Sequence, residues 1–183
     1  MAKIGFSRAI ITVQGETPQT FRIDRTQGGT IEASISGLAA EATTVYASNI
    51  PFYISSKGVG ETTASLNVFD LHSVDGLYEA VLGIQKDADG ISIVGEDTEA
   101  PYASVVFVSD NPEGKEMYFG LTKGRFSHPE IALNTSESGG TDPNTETIEG
   151  TFVSDARGYV YMSGVQSDTL TEAAFLAKVN ATT

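Results

Sequence analysis

Apolar and polar side chains alternate with a period of two from end to end of this chain, a pattern that places one face of each segment on a core and the other on a different surface. In 31–35, Ile31, Ala33 and Ile35 alternate with Glu32 and Ser34. In 61–68, Thr62, Ala64, Leu66 and Val68 alternate with Glu61, Thr63, Ser65 and Asn67, and in 147–152 Ile148, Gly150 and Phe152 oppose Thr147, Glu149 and Thr151. Further strands are expected at 3–13, 43–47, 102–108, 117–125 and 158–163. Turn chemistry separates them at Asp89-Gly90, at Asp110-Asn111-Pro112-Glu113-Gly114 and at Asp155-Ala156-Arg157-Gly158. The expectation is a mainly antiparallel β domain.

One segment departs from period two. Leu71, Val74, Leu77, Tyr78, Val81 and Leu82 recur at helical spacing, with Asp70 placed as an N-cap and Gly83 just past the end. The spacing predicts a helix over 71–82, despite the cost of about 1 kcal/mol for Gly76 inside it. A shorter helix is expected at 170–178, where Thr169 and Glu172 have capping-box spacing. The polar, breaker-rich 135–146 reads as a mobile loop.

With 183 residues the chain suffices for one domain with a sizeable core, and the expectation is a single domain over 1–183. The balance of 24 acidic against 11 basic residues gives a net charge of −13, spread along the chain. That argues against tight nucleic-acid binding, which draws on clustered Lys and Arg, although an acidic wall could face nucleic acid in order to repel it. Without cysteine there is neither a disulfide framework nor a thiolate nucleophile or ligand. The first residues lack the layout of a signal peptide and no run reaches the roughly 20 apolar residues of a membrane span, so a soluble, non-membrane protein is expected. Asn134-Thr135-Ser136 and Asn180-Ala181-Thr182 match the glycosylation sequon by chance on this reading.

No convergent acid, base and nucleophile set emerges, so no catalytic residue, cofactor or metal is expected. His72 and His128 belong to no paired-histidine motif. Asp70, His72 and Ser73 sit too close along one segment for triad geometry. Asp87, Asp89, Gly90 and Glu96 have the spacing of a calcium loop, but Gln85 stands where its first aspartate belongs and Ile91-Ser92-Ile93-Val94 reads as a returning strand. A hairpin turn at Asp89-Gly90 is the better explanation.

The segment between strands 43–47 and 61–69 carries an apolar knot, Ile50, Pro51, Phe52, Tyr53 and Ile54, followed by the hinge-like 55–60. In a long surface loop over 48–60, each exposed large side chain forgoes roughly 1.5–3 kcal/mol of burial. Either the loop folds back on its own core or another molecule covers it.

The ordered segments Lys3-Ile4-Gly5-Phe6-Ser7-Arg8-Ala9, Val45-Tyr46-Ala47-Ser48-Asn49, Ala64 through Leu71, Ala100-Pro101-Tyr102 and Tyr118 through Phe126 together resemble the major tail proteins of long, non-contractile-tailed bacteriophages. The resemblance covers nearly the whole chain. Ser48 stands where many relatives carry an aspartate, the 135–146 loop follows no family pattern, and an additional C-terminal immunoglobulin-like domain is absent. The resemblance implies an antiparallel β-sandwich with one flanking helix, a structural virion protein that assembles with itself into hexameric rings. The rings stack into a tail tube that conducts genome DNA without binding it specifically and meets tape measure and tail-end proteins. It also implies that the long loop, with Ile50, Pro51, Phe52, Tyr53 and Ile54, reaches the next ring. The polar faces of the alternating strands then line the lumen, with Glu32, Ser34, Glu61, Thr63, Ser65, Asn67, Thr147 and Glu149 as candidates. Six copies at −13 sum to −78 per ring, so salt should favour stacking. Two alternatives stay open: a subunit of a tail-derived particle or secretion-type tube, and a monomeric β-sandwich module that binds a partner through the apolar loop.

Overall fold

A computed structural model describes residues 2–40, 42–55, 58–131, 133 and 144–181. The strands of the first part of the chain are β1 (Ile4–Val13), β2 (Gln19–Ile23), β3 (Thr30–Ser36), β4 (Thr43–Ala47), β5 (Ile50–Ser55) and β6 (Thr62–Val68), and the first helix is α1 (Leu77–Leu82). They continue as β7 (Gln85–Lys86), β8 (Ser92–Ile93), β9 (Ala103–Asp110), β10 (Glu116–Phe126), β11 (Glu146–Val153) and β12 (Tyr161–Val165), and the second helix is α2 (Glu172–Val179). The main sheet has eight strands in the order β2-β1-β9-β10-β11-β6-β3, with β12 added to β10, and every pairing in it is antiparallel. The fold is mainly β, as the alternation requires, with two short helices in place of the one flanking helix expected from the resemblance.

β10 divides the sheet in two. Its first half pairs with β9 and β12, and its second half with β11. A register shift against β9 between Leu121 and Gly124 inserts a bulge, which reverses the parity of the strand. Before it, Phe119 and Leu121 point into the main core; after it, Phe126 does, edge-on to Phe152. That core also gathers Ala9, Ile11, Val105, Phe107, Leu66 and Ile148 between the two halves of the sheet.

The outer face of the β1-β9-β10 half is apolar and α2 covers it. Ile10, Val106, Val108 and Tyr118 pack against Phe175 and Val179, with Tyr118 stacked on Phe175 at 5.3 Å between ring centroids. Gly120 lies under the helix, where an added Cβ would come within 2.6 Å of Val179. Thr171 caps α2 by accepting from the Ala174 N–H at 3.3 Å, so Thr169 is not the cap that the capping-box spacing selected. At the helix start Glu172 accepts from Arg8 Nε at 2.6 Å and from Arg22 at 3.0 Å, while Arg8 also donates to Glu116 at 2.6 Å and Tyr118 donates to Glu116 at 2.9 Å.

The predicted helix at 71–82 is shorter than its periodicity. Its apolar residues are buried as expected, Leu71 through Leu82, but the α-helix begins at Leu77 because Gly76 takes φ +72°, outside the helical region. Asp70 accepts from the His72 N–H at 2.9 Å and so closes a local turn rather than capping the helix. Gly83, at φ +68°, ends the helix where the sequence placed its stop. The Asp89-Gly90 turn joins β7 to β8, and Asp87 accepts from the N–H groups of Asp89 and Ile91 at 2.9 Å, which makes this segment a hairpin and not a calcium loop. Of the stretch 135–146 read as a loop, residues 135–143 lie outside the described residues, as does the Asn134 sequon, and β11 already starts at Glu146.

Two tests follow from this packing. Were Gly76 inside a continuous helix, Gly76→Ala would stabilise by about 1 kcal/mol; at a left-handed position it should destabilise by about 1–2 kcal/mol, read from urea unfolding. For Glu116, burial alone would push the carboxyl up, but the hydrogen bonds from Arg8 and Tyr118 outweigh it and hold the group below its ordinary range. For Tyr118, burial and then the bond to Glu116 push the hydroxyl up to about 12. The Glu116 contribution is therefore present above the ordinary carboxylate pKa of 4.5 and lost as pH falls through the lowered value. The Tyr118 contribution is complete below 10 and lost as pH rises to about 12. Tyr118→Phe should flatten the alkaline limb of the stability profile, and Arg8→Met should cost about 1.5–3 kcal/mol at neutral pH by removing the guanidinium that Glu116 and Glu172 share, leaving them only Tyr118 and Arg22 as donors.

Candidate assembly surfaces

The second half of the sheet, β11-β6-β3, presents its outer face without a helix over it. Register fixes which side chains stand there: Glu32 is opposite Asn67 and Asn67 opposite Thr147; Ser34 opposite Ser65 and Ser65 opposite Glu149; Ser36 opposite Thr63 and Thr63 opposite Thr151. Seven of the eight polar residues singled out by alternation thus fall into adjoining cross-strand rows. The eighth, Glu61, is exposed one residue before β6 and has no strand partner. Behind this face, Ala33, Leu66 and Ile148 make the corresponding apolar row on the core.

Sequence reasoning did not single out Ser36 or Ser127, which extend the rows. Ser36 and Thr63 join hydroxyls at 2.7 Å, and Ser127 continues the Glu149 row by donating its N–H to the Glu149 carbonyl at 2.7 Å. Together with Ser34, Ser65 and Thr151 they line a shallow polar depression of about 280 Å³. Lys123 and Arg125 come onto the same face from β10, Arg125 opposite Thr151 and Lys123 opposite Val153. Both cations lie 4.3 Å from the Tyr102 ring, and Arg125 is ion-paired with Glu99. Nothing in the local sequence flags them, because the bulge in β10 sets their side.

The apolar knot is not a loop. Residues 50–55 form β5, which pairs antiparallel with β4 in a hairpin separate from the main sheet. Ser48 and Asn49 make its two-residue turn with φ of +54° and +65°, the left-handed geometry whose twist matches the flanking strands. Val45 faces Tyr53 and Tyr46 faces Pro51, so Phe52 is the extra, bulged residue. The hairpin does not fold back on the core: Phe52 is 75 % exposed, Tyr46 67 % and Ile54 63 %, with Val45, Ile50, Pro51 and Tyr53 also exposed. Val45 and Tyr46, placed in an ordinary strand by sequence, belong to the same apolar surface. Residues 56 and 57 of the hinge-like run lie outside the described residues.

The histidines have structural partners. Tyr78 and His128 Nε2 are 2.6 Å apart, and the His72 ring lies 4.2 Å from that of Tyr78. Burial, then the charges of Glu146 and Glu79, push the Tyr78 hydroxyl up. Among the described residues no group of three His, Cys, Asp or Glu side chains is placed to hold a metal ion. No helix among them is long and apolar enough to cross a membrane.

A sequence search of the curated proteins finds no match. Among solved structures, one match is a chain of the cryo-EM structure of an extracellular contractile injection system, the PVC sheath-tube complex in its extended state. It is 14 % identical, with 87 % of this chain and 89 % of that one covered and a TM-score of 0.42. The model of the phage tail tube protein family matches residues 15–170. That match runs through every strand from β2 to β12 and takes in both the polar rows and the apolar hairpin, and the chain belongs to this structural, non-enzymatic family of phage tail tube proteins.

Proposed function

We propose that this chain, as one tail-tube domain over 1–183, is the repeating subunit of a virion tail tube. In this reading it assembles into hexameric rings that stack, and the stacked rings conduct genome DNA. The observation that carries the proposal is the β4–β5 hairpin. It holds at least six exposed large apolar side chains, all away from the core, and from Thr43 to Ser55 it contains no charged residue. Between copies that each carry −13, an uncharged element can close on a neighbour without adding to the repulsion, and burial of its apolar area supplies the attraction. Ile50, Pro51, Phe52, Tyr53 and Ile54 are the contact to the next ring.

The polar rows of β11-β6-β3 are the lumen wall in this reading. The hydroxyls carry no positive charge to trap a phosphate, and the carboxylates of Glu32 and Glu149 repel it, so a duplex meets no strongly adhesive stop along the wall. Lys123 and Arg125 stand at one margin, with Arg125 neutralised by Glu99 and both drawn onto Tyr102. Tape measure and tail-end proteins are the further partners expected at the tube's interior and ends.

Phe52→Asp tests the hairpin. Phe52 is exposed in the single chain, so unfolding stability should change by less than about 0.5 kcal/mol. Loss of roughly 1.5–3 kcal/mol of burial per contact should weaken association about 10- to 150-fold, read by sedimentation velocity. An unchanged sedimentation profile would contradict the role given to the hairpin. Added salt, which shortens screening from about 10 Å at 0.1 M to about 3 Å at 1 M, should move the wild-type distribution towards larger species. Steady dissociation with salt would show instead that attraction between opposite charges holds the copies together.

A further inference from the structure

The main core is open at one place. Between β3 on one side and β1, β9, β10 and β12 on the other runs a groove of about 480 Å³, walled by Phe6, Ala33, Ile35, Phe107, Phe119 and Tyr161. All but Phe107 are only partly buried, packed on the core behind them and open to solvent in front. Although the chain has 24 acidic residues, no carboxylate lines this groove; its one charged group is Lys3, whose Nζ lies 4.8 Å from the centre of the Phe119 ring. β3, which forms one wall, is the last strand of the sheet, so among the described residues its second edge pairs with no strand.

We propose that this groove is the seat for the β4–β5 hairpin of a second copy of the chain. The proposal rests on reading the hairpin as a contact between copies, and it names the surface that receives it. The two features match in kind: an uncharged apolar projection and an apolar groove without carboxylates, on a molecule whose remaining surface is strongly acidic. Among the described residues the two strands of the hairpin pair only with each other, so the projection can enter the groove of a neighbour and set Phe52 between Ile35 and Phe119. No described residue of the hairpin lines the groove of its own chain. A contact of different patches on successive copies is heterologous, and repeated it generates closed rings or open stacks, the two geometries a tube needs.

The chain has no cysteine, which makes thiol crosslinking specific. Phe52→Cys is mixed with Leu38→Cys, a groove-lining position beyond the end of β3, or with Ile35→Cys. A control mixture pairs Phe52→Cys with Thr151→Cys on the polar face. Each mixture is treated with a short bifunctional maleimide under conditions where sedimentation reports assembly, and intact folding of each variant is checked by its thermal melt. Crosslinked heterodimer at 52–38 or 52–35 several-fold above the 52–151 control is the expected result. Assembly with no excess over the control would overturn the groove as receptor while leaving the hairpin contact standing. Assembly that survives Phe52→Asp unchanged would overturn the hairpin contact and the groove with it. A Phe52→Cys, Leu38→Cys double variant that crosslinks only within single subunits would make the chain's own hairpin the occupant and overturn the proposal.

Discussion

A strand has two faces, and a single sheet folded about one core leaves two outer surfaces to be satisfied in different ways. In this chain the bulge in β10 between Leu121 and Gly124 governs how that is done. Before the bulge, the outward side of β10 carries Tyr118 and Gly120, apolar and flat enough for α2 to lie on them. Beyond it, the outward side carries Lys123 and Arg125, and the neighbouring strands add hydroxyls and carboxylates. One strand thus joins a half that must be covered to a half that can stay wet, without interrupting the core that both share. The network of Arg8 with Glu116 and Glu172 then fixes α2 on the half that needs it, and the outer face of β11-β6-β3 is left uncovered.

Charge sets the second constraint. A subunit at −13 resists the approach of its own copies, and no arrangement of surface ion pairs in an exposed setting offsets that by more than about 1 kcal/mol per pair. In the proposed assembly apolar burial is the larger source of attraction. It is concentrated in a hairpin from which charge has been excluded and in a groove from which carboxylates have been excluded. Separating attraction from repulsion in space would also make the proposed assembly adjustable by ionic strength, because salt weakens only the repulsion.

Most of the sheet was legible in the sequence because period two is a geometric property of the strand and survives whatever the partners are. For that reason the alternation alone puts Asn67, Ser65 and Thr63 on one face of β6 and Leu66 on the other, while the cross-strand rows they join depend on pairings that only the fold reveals. Two kinds of error have physical causes. The helix at 71–82 was overextended because periodicity reports which residues are buried and not the backbone that buries them; a left-handed Gly76 brings Leu71 and Val74 to the core from turns. The apolar knot reads as a loop because Ile50-Pro51-Phe52-Tyr53-Ile54 does not alternate, and it does not alternate because both faces of the hairpin are exposed in the single chain. Alternation detects a strand with one face on its own core, so a strand exposed on both faces escapes it. The placement of Lys123 and Arg125 depends on the bulge, for which Gly124 within the strand is only a weak local mark.

Negative-stain electron microscopy of the purified chain, at rising concentration and with added salt, bears most directly on whether these surfaces build a tube. Rings with a central hole, stacking into hollow tubes as salt rises, are the expected images. Monodisperse single subunits at every concentration and salt would contradict self-assembly by this chain and make the hairpin a surface for some other partner.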